Sequence, residues 1–413
     1  MADRSFVPNQ EYDLELKIKG NDYTSDLVKC QIITSLSIPY IYVNLTLNIF
    51  QDDILIEEIY GQDKIELIVR LLDKDGNLKS DQTFDLMLLN SQYQRKTQGM
   101  ANMGIETQRE KTILNIPTVS RLDYKEMATI INKVYHNKIM SDILADLTKE
   151  SKLELKLDSD NINKEVLKQV IIPPMTLYKS LNYLDKTFGI FDGPSGYFSF
   201  DGKLFVKNLS KRMTKKVNLN IYRLSTDEPD LENTIIDGKC SSSSENFYTY
   251  HELKFKYSNN TKFAIISKNL KYIVKPSDNL YFIIEKDLED ICKNEGLVTD
   301  NTKSFIEVES NSRIRYMTDH TGYEKTESFL KADISKAISN ILSMSVTLEK
   351  DLIIENFFNV GDSVELYTKI QEEMDLGGKY ILQSSVINFE RLGNNNWGNK
   401  ININCIRTSK TLK

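Results

Sequence analysis

Both ends of the chain alternate apolar and polar residues with a period of two, and few folds accept such a pattern. Leu14-Glu15-Leu16-Lys17-Ile18-Lys19 alternates until Gly20-Asn21-Asp22 stops it, and Cys30 to Leu36 and Tyr40 to Phe50 follow. Lys64 to Leu72 runs into the turn Asp73-Lys74-Asp75-Gly76-Asn77, and Gln82 to Leu89 pairs back as a hairpin. Lys111 to Pro117 closes the set. Runs of this kind bounded by turn residues are half-buried antiparallel strands. The Asp-Gly step supplies the positive φ of a tight reversal. The only helix expected before Ser120 is a short piece from Asp52 to Ile59, so a small barrel or sandwich is the natural solution. The polar stretch Gln94 to Glu110 falls where a hairpin tip would project, as a mobile loop or a partner contact.

After Ser120 the period changes. Tyr124 to Tyr135 places Met127, Ile130, Ile131 and Val134 at helical spacing, and Met140 to Leu147 repeats it with Ser141 available as a cap. Pro173-Pro174-Met175-Thr176 opens a helix from Leu177 to Phe188, capped by Thr176 and ended by Gly189. Its apolar stripe is Leu177, Leu181, Leu184 and Phe188. Phe188 to Val206 then predicts a compact meander with an Asp201-Gly202 turn. Beyond the serine run Ser241–Ser244, Phe247 to Tyr257 is a long strand. Phe263–Val274, Tyr281–Ile284, a helix Lys286–Lys293 and a helix Asp333–Met344 are mixed. Strands return at Met344–Lys350, Phe358–Thr368, Tyr380–Arg391 and Lys400–Arg407.

A chain of 413 residues exceeds what one core usually serves, so two to four domains are expected. The expected divisions are 1–120, a first β-barrel; 121–233, helical and α+β; 234–262 with 345–413, a second, discontinuous β-barrel; and 263–344, an α+β insertion. The fold class is mainly β with α+β insertions.

Chemistry finds little foothold. The net charge is −6, and the one basic run, Lys211-Arg212-Met213-Thr214-Lys215-Lys216, is too short to be a nucleic-acid footprint. Cys30, Cys240, Cys292 and Cys405 form no C-x-x-C pair and have no His at ligand spacing, so no zinc site or disulfide framework is signalled. His136, His251 and His320 lie far apart. Ser195, in Gly193-Pro194-Ser195-Gly196, precedes a strand and not the helix of a nucleophile elbow. The carboxylate pairs Glu57-Glu58, Glu289-Asp290 and Glu372-Glu373 sit in polar settings unlike the buried acid of a glycosidase, and a single Trp offers little for a sugar cleft. No catalytic, cofactor-binding or metal site is expected, and no membrane insertion. Without a leader-like apolar run at the N-terminus, synthesis in a reducing cytoplasm is expected.

Two segments carry a family resemblance. Thr176-Leu177-Tyr178-Lys179-Ser180-Leu181-Asn182-Tyr183-Leu184-Asp185-Lys186-Thr187-Phe188-Gly189-Ile190-Phe191 resembles a helix that leads into a strand, and Phe357-Phe358-Asn359-Val360-Gly361-Asp362-Ser363-Val364-Glu365-Leu366 with Lys379 to Val386 resembles a last hairpin. With the order of elements along nearly the whole chain, they are similar to the central baseplate hub proteins of contractile, T4-like phages and to the hub part of type VI secretion spike proteins. The resemblance implies two tube-type antiparallel barrels per chain and a homotrimer whose six barrels ring a channel. It implies a central spike protein, a tail tube protein and other baseplate proteins as partners. Viral DNA would pass the channel without specific binding, and the chain would reside in the virion tail after assembly in the host cytoplasm. Family hubs carry no catalytic residues. Other tail-tip or tube-initiator adaptors, and a cell-wall-degrading tail enzyme, are the rival expectations.

Overall fold

The computed structural model describes residues 11–50, 63–73, 75–89, 94–97, 111–209, 219–223, 235–236, 240–241, 247–250, 253–257, 270–274, 282–283, 313–317, 342–348, 358–368, 377–392 and 397–407. The N-terminal alternation becomes β1 (Glu11–Ile18), β2 (Asn21–Asp22), β3 (Leu27–Ser35), β4 (Ile38–Phe50), β5 (Ile65–Leu72), β6 (Leu78–Leu88), β7 (Gln94–Thr97) and β8 (Lys111–Ser120). Their hydrogen-bonded order is β3-β4-β8-β6-β5-β1-β2, with β7 on β8. Period two sends alternate residues to one face, and the register matches them. Leu14 stands opposite Val69 and Leu16 opposite Leu67, Leu67 stands opposite Phe84, and all five are buried. At the β5–β6 turn the Asp73 carboxylate accepts from the backbone N–H of Asp75 at 2.9 Å and of Asn77 at 2.8 Å, and Gly76 takes φ +78. The expected helix Asp52–Ile59 lies outside the described residues, as does 98–110 of the expected loop Gln94–Glu110; the first four residues of that stretch are not loop but the strand β7, paired antiparallel with β8.

The middle section has its own core. It comprises the helices α1 (Arg121–Met127), α2 (Met140–Glu150) and α3 (Leu177–Thr187) and the strands β9 (Ile130–Lys138), β10 (Glu154–Leu157), β11 (Leu167–Thr176), β12 (Ser195–Phe200) and β13 (Lys203–Asn208). The helix expected over Tyr124–Tyr135 is corrected: it stops at Met127, and β9 begins three residues later. The β-branched pair Ile130-Ile131 suits a pleated strand better than a helix. Pairing with β11 sets Tyr135 opposite Val170 and Val134 opposite Ile171. Ile131 and Tyr135 are buried, while Ile130 and Val134 are 62% and 52% exposed, which is a strand's alternation and not a helix stripe. α2 also departs from expectation at its start, because its N-cap is Ile139, with no side-chain cap, and Ser141 lies inside the first turn. α3 follows the sequence reading: Thr176 Oγ1 accepts from Lys179 N at 3.3 Å, and Gly189 leaves the helix at φ +71.

The hairpin β12–β13 turns on Asp201 (φ +52) and Gly202 (φ +70), the two positive-φ positions of a tight two-residue turn. It is buried on both faces. Tyr197, Leu204 and Val206 join the middle core, while Phe198, with Phe205 packed against it, joins the large β core. A strand apolar on both faces belongs between two layers, and this one lies between two cores.

The C-terminal strands are β14 (Leu219–Arg223), β15 (Ile235–Ile236), β16 (Cys240–Ser241), β17 (Phe247–Tyr250), β18 (Leu253–Tyr257), β19 (Leu270–Val274), β20 (Phe282–Ile283), β21 (Arg313–Met317), β22 (Leu342–Leu348), β23 (Ser363–Thr368), β24 (Gly378–Arg391) and β25 (Trp397–Arg407). β14, within the range 121–233, runs parallel to both β17 and β23, so this half is not antiparallel throughout. Two runs of strands leave β24, β24-β23-β14-β17 on one side and β24-β25-β22-β18 on the other. β22 takes up residues 342–344, the expected end of a helix, because Met344, Val346 and Leu348 alternate into the core. β19, β20 and β21 pair among themselves as a separate sheet, and β15 pairs with β16. The chain is mainly β, as its patterning implied. The other mixed elements expected between 258 and 341 lie outside the described residues.

Candidate functional site: a shared strand, a buried clamp and two unlike outer faces

The fourteen residues of β24 serve both β halves. Along one edge β24 pairs with β25 from Ile381 to Arg391. Along the other, Gly378–Ile381 pair with β23 and Ser384–Glu390 pair with β3 of the N-terminal half. The changeover falls at Gln383, where the register with β25 shifts between Leu382 and Ser384. A bulge of this kind re-aims a strand, and here it hands one edge from one half to the other. The Gln383 carbonyl stays satisfied, accepting from Leu36 N at 3.0 Å. One fifteen-stranded sheet results, over a hydrophobic core that includes Leu14, Val43, Leu67, Val346, Ile387 and Ile401 from both halves.

The middle section is fastened to this sheet by buried charge. Lys207 of β13 is 4% exposed. Its ammonium donates to Val360 O at 2.8 Å and to Asp362 Oδ1 at 2.7 Å, and it lies 4.9 Å and 5.5 Å from the ring centroids of Phe198 and Phe205. Those two rings are stacked at 4.9 Å. A buried ammonium is tolerable only when its protons and charge are met, and a carboxylate, a carbonyl and two aromatic faces do so. Gly361, between the two acceptors, has φ +85, and a Cβ there would lie 3.0 Å from Lys207 Cδ. The Gly361-Asp362 step within the segment that carries the family resemblance is thus a lysine-binding turn, whose partner lies 155 residues away and bears no local mark. A second fastening is Asp123 of α1, 1% exposed. Its carboxylate accepts from Ser120 Oγ and Ser199 Oγ, each at 2.6 Å, and from Gly202 N at 3.2 Å.

The outer faces of the sheet differ in chemistry. On β1, β5 and β6 they are ionic: Arg70 donates to Glu15 at 2.9 Å and to Asp13 at 3.2 Å, and Lys17 also meets Glu15. Lys17 first and Arg70 second hold the Glu15 carboxyl below the usual glutamate range. Across β8, β4, β3, β24, β25 and β22 the outward positions are mostly amides and hydroxyls. Pro117, Asn44, Gln31, Asn388 and Lys400 form one cross-strand row, and Val386, Asn402 and Thr347 another. They bond to one another: Gln31 Nε2 to Asn388 Oδ1 at 2.8 Å, Thr46 Oγ1 to Asn115 Oδ1 at 2.9 Å, Thr347 Oγ1 to Asn402 Oδ1 at 2.7 Å, and Asn404 Nδ2 to Ser384 Oγ at 3.0 Å. A depression of about 540 Å³ on this face is lined by residues that include Lys29, Tyr42, Asn44 and Asn115. Lys29 stands opposite Glu390.

The chemistry-bearing residues of the sequence do not converge. His136 is exposed on β9, and His251 and His320 lie outside the described residues. Ser195 Oγ donates to Asp185 Oδ1 at 2.6 Å, tying β12 to α3. Cys30 and Cys405 are buried free thiols, and burial pushes both up, away from thiolate reactivity. Cys292, the run Lys211–Lys216 and the three carboxylate pairs lie outside the described residues. Among the described residues no group of three His, Cys, Asp or Glu could hold a metal ion, and no helix is long and apolar enough to cross a membrane.

Two solved structures share this fold over nearly the whole chain. The tail protein from Neisseria meningitidis MC58 superposes with a TM-score of 0.56 at 9% identity, covering 96% of this chain and 97% of its own. The 43 kDa tail protein of prophage MuSo2 from Shewanella oneidensis gives a TM-score of 0.56 at 15% identity, covering 96% and 98%. No protein-family model matches the sequence, and no curated protein matches it. The chain shares the fold of these two tail proteins.

Proposed function

We propose that the chain is an architectural subunit of a phage tail baseplate, a hub of which three copies form a ring. Each copy contributes two barrel-like units, so the ring presents six around a channel and meets a hexameric tail tube on one side and a trimeric central spike on the other. Other baseplate proteins contact its rim, and the assembly forms in the host cytoplasm and stays in the virion. The role is structural, and no reaction is assigned to the chain. What supports the reading is β24: it hydrogen-bonds to β23 and β25 of the C-terminal half and to β3 of the N-terminal half, a double unit of the kind that would let threefold symmetry imitate sixfold. The shared fold with two tail proteins supports it. Light scattering on the purified full chain tests it. A mass near three times 47.7 kDa is expected, and a hexamer or a persistent monomer would refute the ring of three.

A further inference from the structure

The ribbon formed by β9 and β11 in the middle section has two edges of unlike character. We propose that the open edge of β9 takes up an extended segment of a different chain as a third strand, with aliphatic residues four positions apart set beside Ile130 and Val134. That the occupant is a different chain and not a second copy rests on the ring reading above.

Three observations carry it. The first is the contrast between the edges. Among the described residues β9 pairs with β11 alone, and β11 with β9 alone, so each strand turns one row of backbone N–H and C=O groups outward. The edge of β11 is blunted: Pro173 and Pro174 carry no N–H, and the register with β9 shifts between Ile172 and Met175, both devices that keep an edge from pairing. β9 has neither, since Ile130 to His136 runs without proline or glycine and positive φ enters only at Asn137. The second is a groove beside that edge. Only Ile139 separates β9 from α2, and α2 turns back along the strand, held there by Lys133 Nζ at 2.8 Å from Asp146 and 2.6 Å from Glu150. The groove, of about 740 Å³, is lined by residues that include Asn132, Val134 and Lys138 of β9 and Asp142, Ala145 and Lys149 of α2. The third is an uncovered apolar row. Val134 stands opposite Ile171, and both are exposed, as is Ile130. A third strand with aliphatic side chains in line with Ile130 and Val134 would extend this row. Its intervening residues would turn to the side where Lys133 and Tyr135 reach Asp146. Main-chain hydrogen bonds supply the affinity of strand addition, and alternate side chains its selectivity. Pairing of β9 with β9 of a copy is twofold, an operation that a ring of three lacks, so the edge is left to another chain.

Residue-resolved hydrogen exchange on the full chain tests it, with the neutral peptide acetyl-Thr-Val-Thr-Asn-Thr-Val-Thr-amide as the probe. In the chain alone, alternate amides from Ile130 to His136 should exchange freely, and the peptide at millimolar concentration should slow them. Protection of every one of these amides without peptide would mean that the edge is already covered, and a peptide that slows none of them would mean that the edge accepts no strand; either overturns the proposal. Two further peptides, N-methylated at the valines and asparagine or at the threonines, each have one edge blocked. One should act and the other not, and action by both or by neither would overturn strand addition. Val134→Lys puts a charge on the open edge, and Ala145→Tyr fills the groove from α2 without touching β9, so the second serves if the first fails to fold. Each should lose the slowing, and unchanged slowing in both would overturn the site. Light scattering separates this outcome from the ring reading. An assembly of six chains that Val134→Lys splits into threes would make the edge a contact between copies, which overturns the different-chain occupant and keeps the ring. A mass other than threefold that ignores Val134→Lys fails the ring reading, while the exchange result still decides the edge.

Discussion

Replacing Lys207 by Met tests whether the middle section is held to the sheet as the geometry indicates. Met keeps most of the stem that lies against Phe198 and Phe205 but removes the donor to Val360 O and Asp362 Oδ1. The Asp362 side chain, 13% exposed, then loses this donor. A hydrogen bond to a charged group is worth about 1.5–3 kcal/mol, and breaking a buried pair from one side costs about 3–5 kcal/mol. With some return from the apolar methionine, a loss of about 3 kcal/mol is expected. The single tryptophan, Trp397, is buried in β25 and reports on the shared sheet by its fluorescence. With a urea dependence of about 3 kcal/mol per molar, the midpoint should fall by about 1 M. Asp362→Asn alone should cost less, because the amide oxygen still accepts from the ammonium. The double variant should cost less than the two singles together, by a coupling of about 1–3 kcal/mol. A Lys207→Met midpoint within about 0.2 M of wild type, with an unchanged slope, would refute the clamp.

Two further outcomes follow from neighbouring geometry. Gly361→Ala places a Cβ at φ +85 and 3.0 Å from Lys207 Cδ; left-handed strain of about 1–2 kcal/mol plus displacement of the lysine should lower the same urea midpoint, and an unchanged midpoint would count against the close approach. Asp146 accepts from Lys133 Nζ at 2.8 Å and Tyr135 OH at 3.0 Å, and Lys133 above all holds its carboxyl below the ordinary aspartate range. A depressed carboxyl stabilises the fold above its unfolded value of about 3.9 and loses that contribution as pH falls through the folded value. The melting temperature of wild type should therefore exceed that of Asp146→Asn at neutral pH, with the gap closing on acidification below about pH 4; a gap independent of pH would contradict the pairing.

How far the sequence reveals this molecule depends on the range of the interactions. Strands such as β1, β5 and β25 are legible because one face is buried and the other is not, which writes period two directly into Leu14-Glu15-Leu16-Lys17-Ile18 and Ile401-Asn402-Ile403-Asn404-Cys405. α3 is legible because its signals are local: Thr176 before it, Gly189 after it and a leucine stripe between. β9 is not, because Met127, Ile131 and Val134 suit a helix by spacing, and only pairing with Val170 and Ile172 of β11 decides the matter. The clamp and the shared strand are less legible still. Nothing around Lys207 marks it as buried, and Gln383 is an ordinary strand residue until the two edges it separates are known. The amide face could have been noticed as Asn or Thr at alternate positions of β4 (Asn44, Thr46, Asn48) and Asn at those of β25 (Asn402, Asn404). Its continuity depends on β24 lying between β3 and β25, which is a fact of topology alone.

The most direct test of the account is an image of the assembled full chain viewed down its symmetry axis, from class averages of frozen particles. The account predicts a threefold ring with six barrel-sized densities around an open centre, paired two by two through the shared strand. A closed particle without a central opening, or a ring of six identical chains, would contradict it.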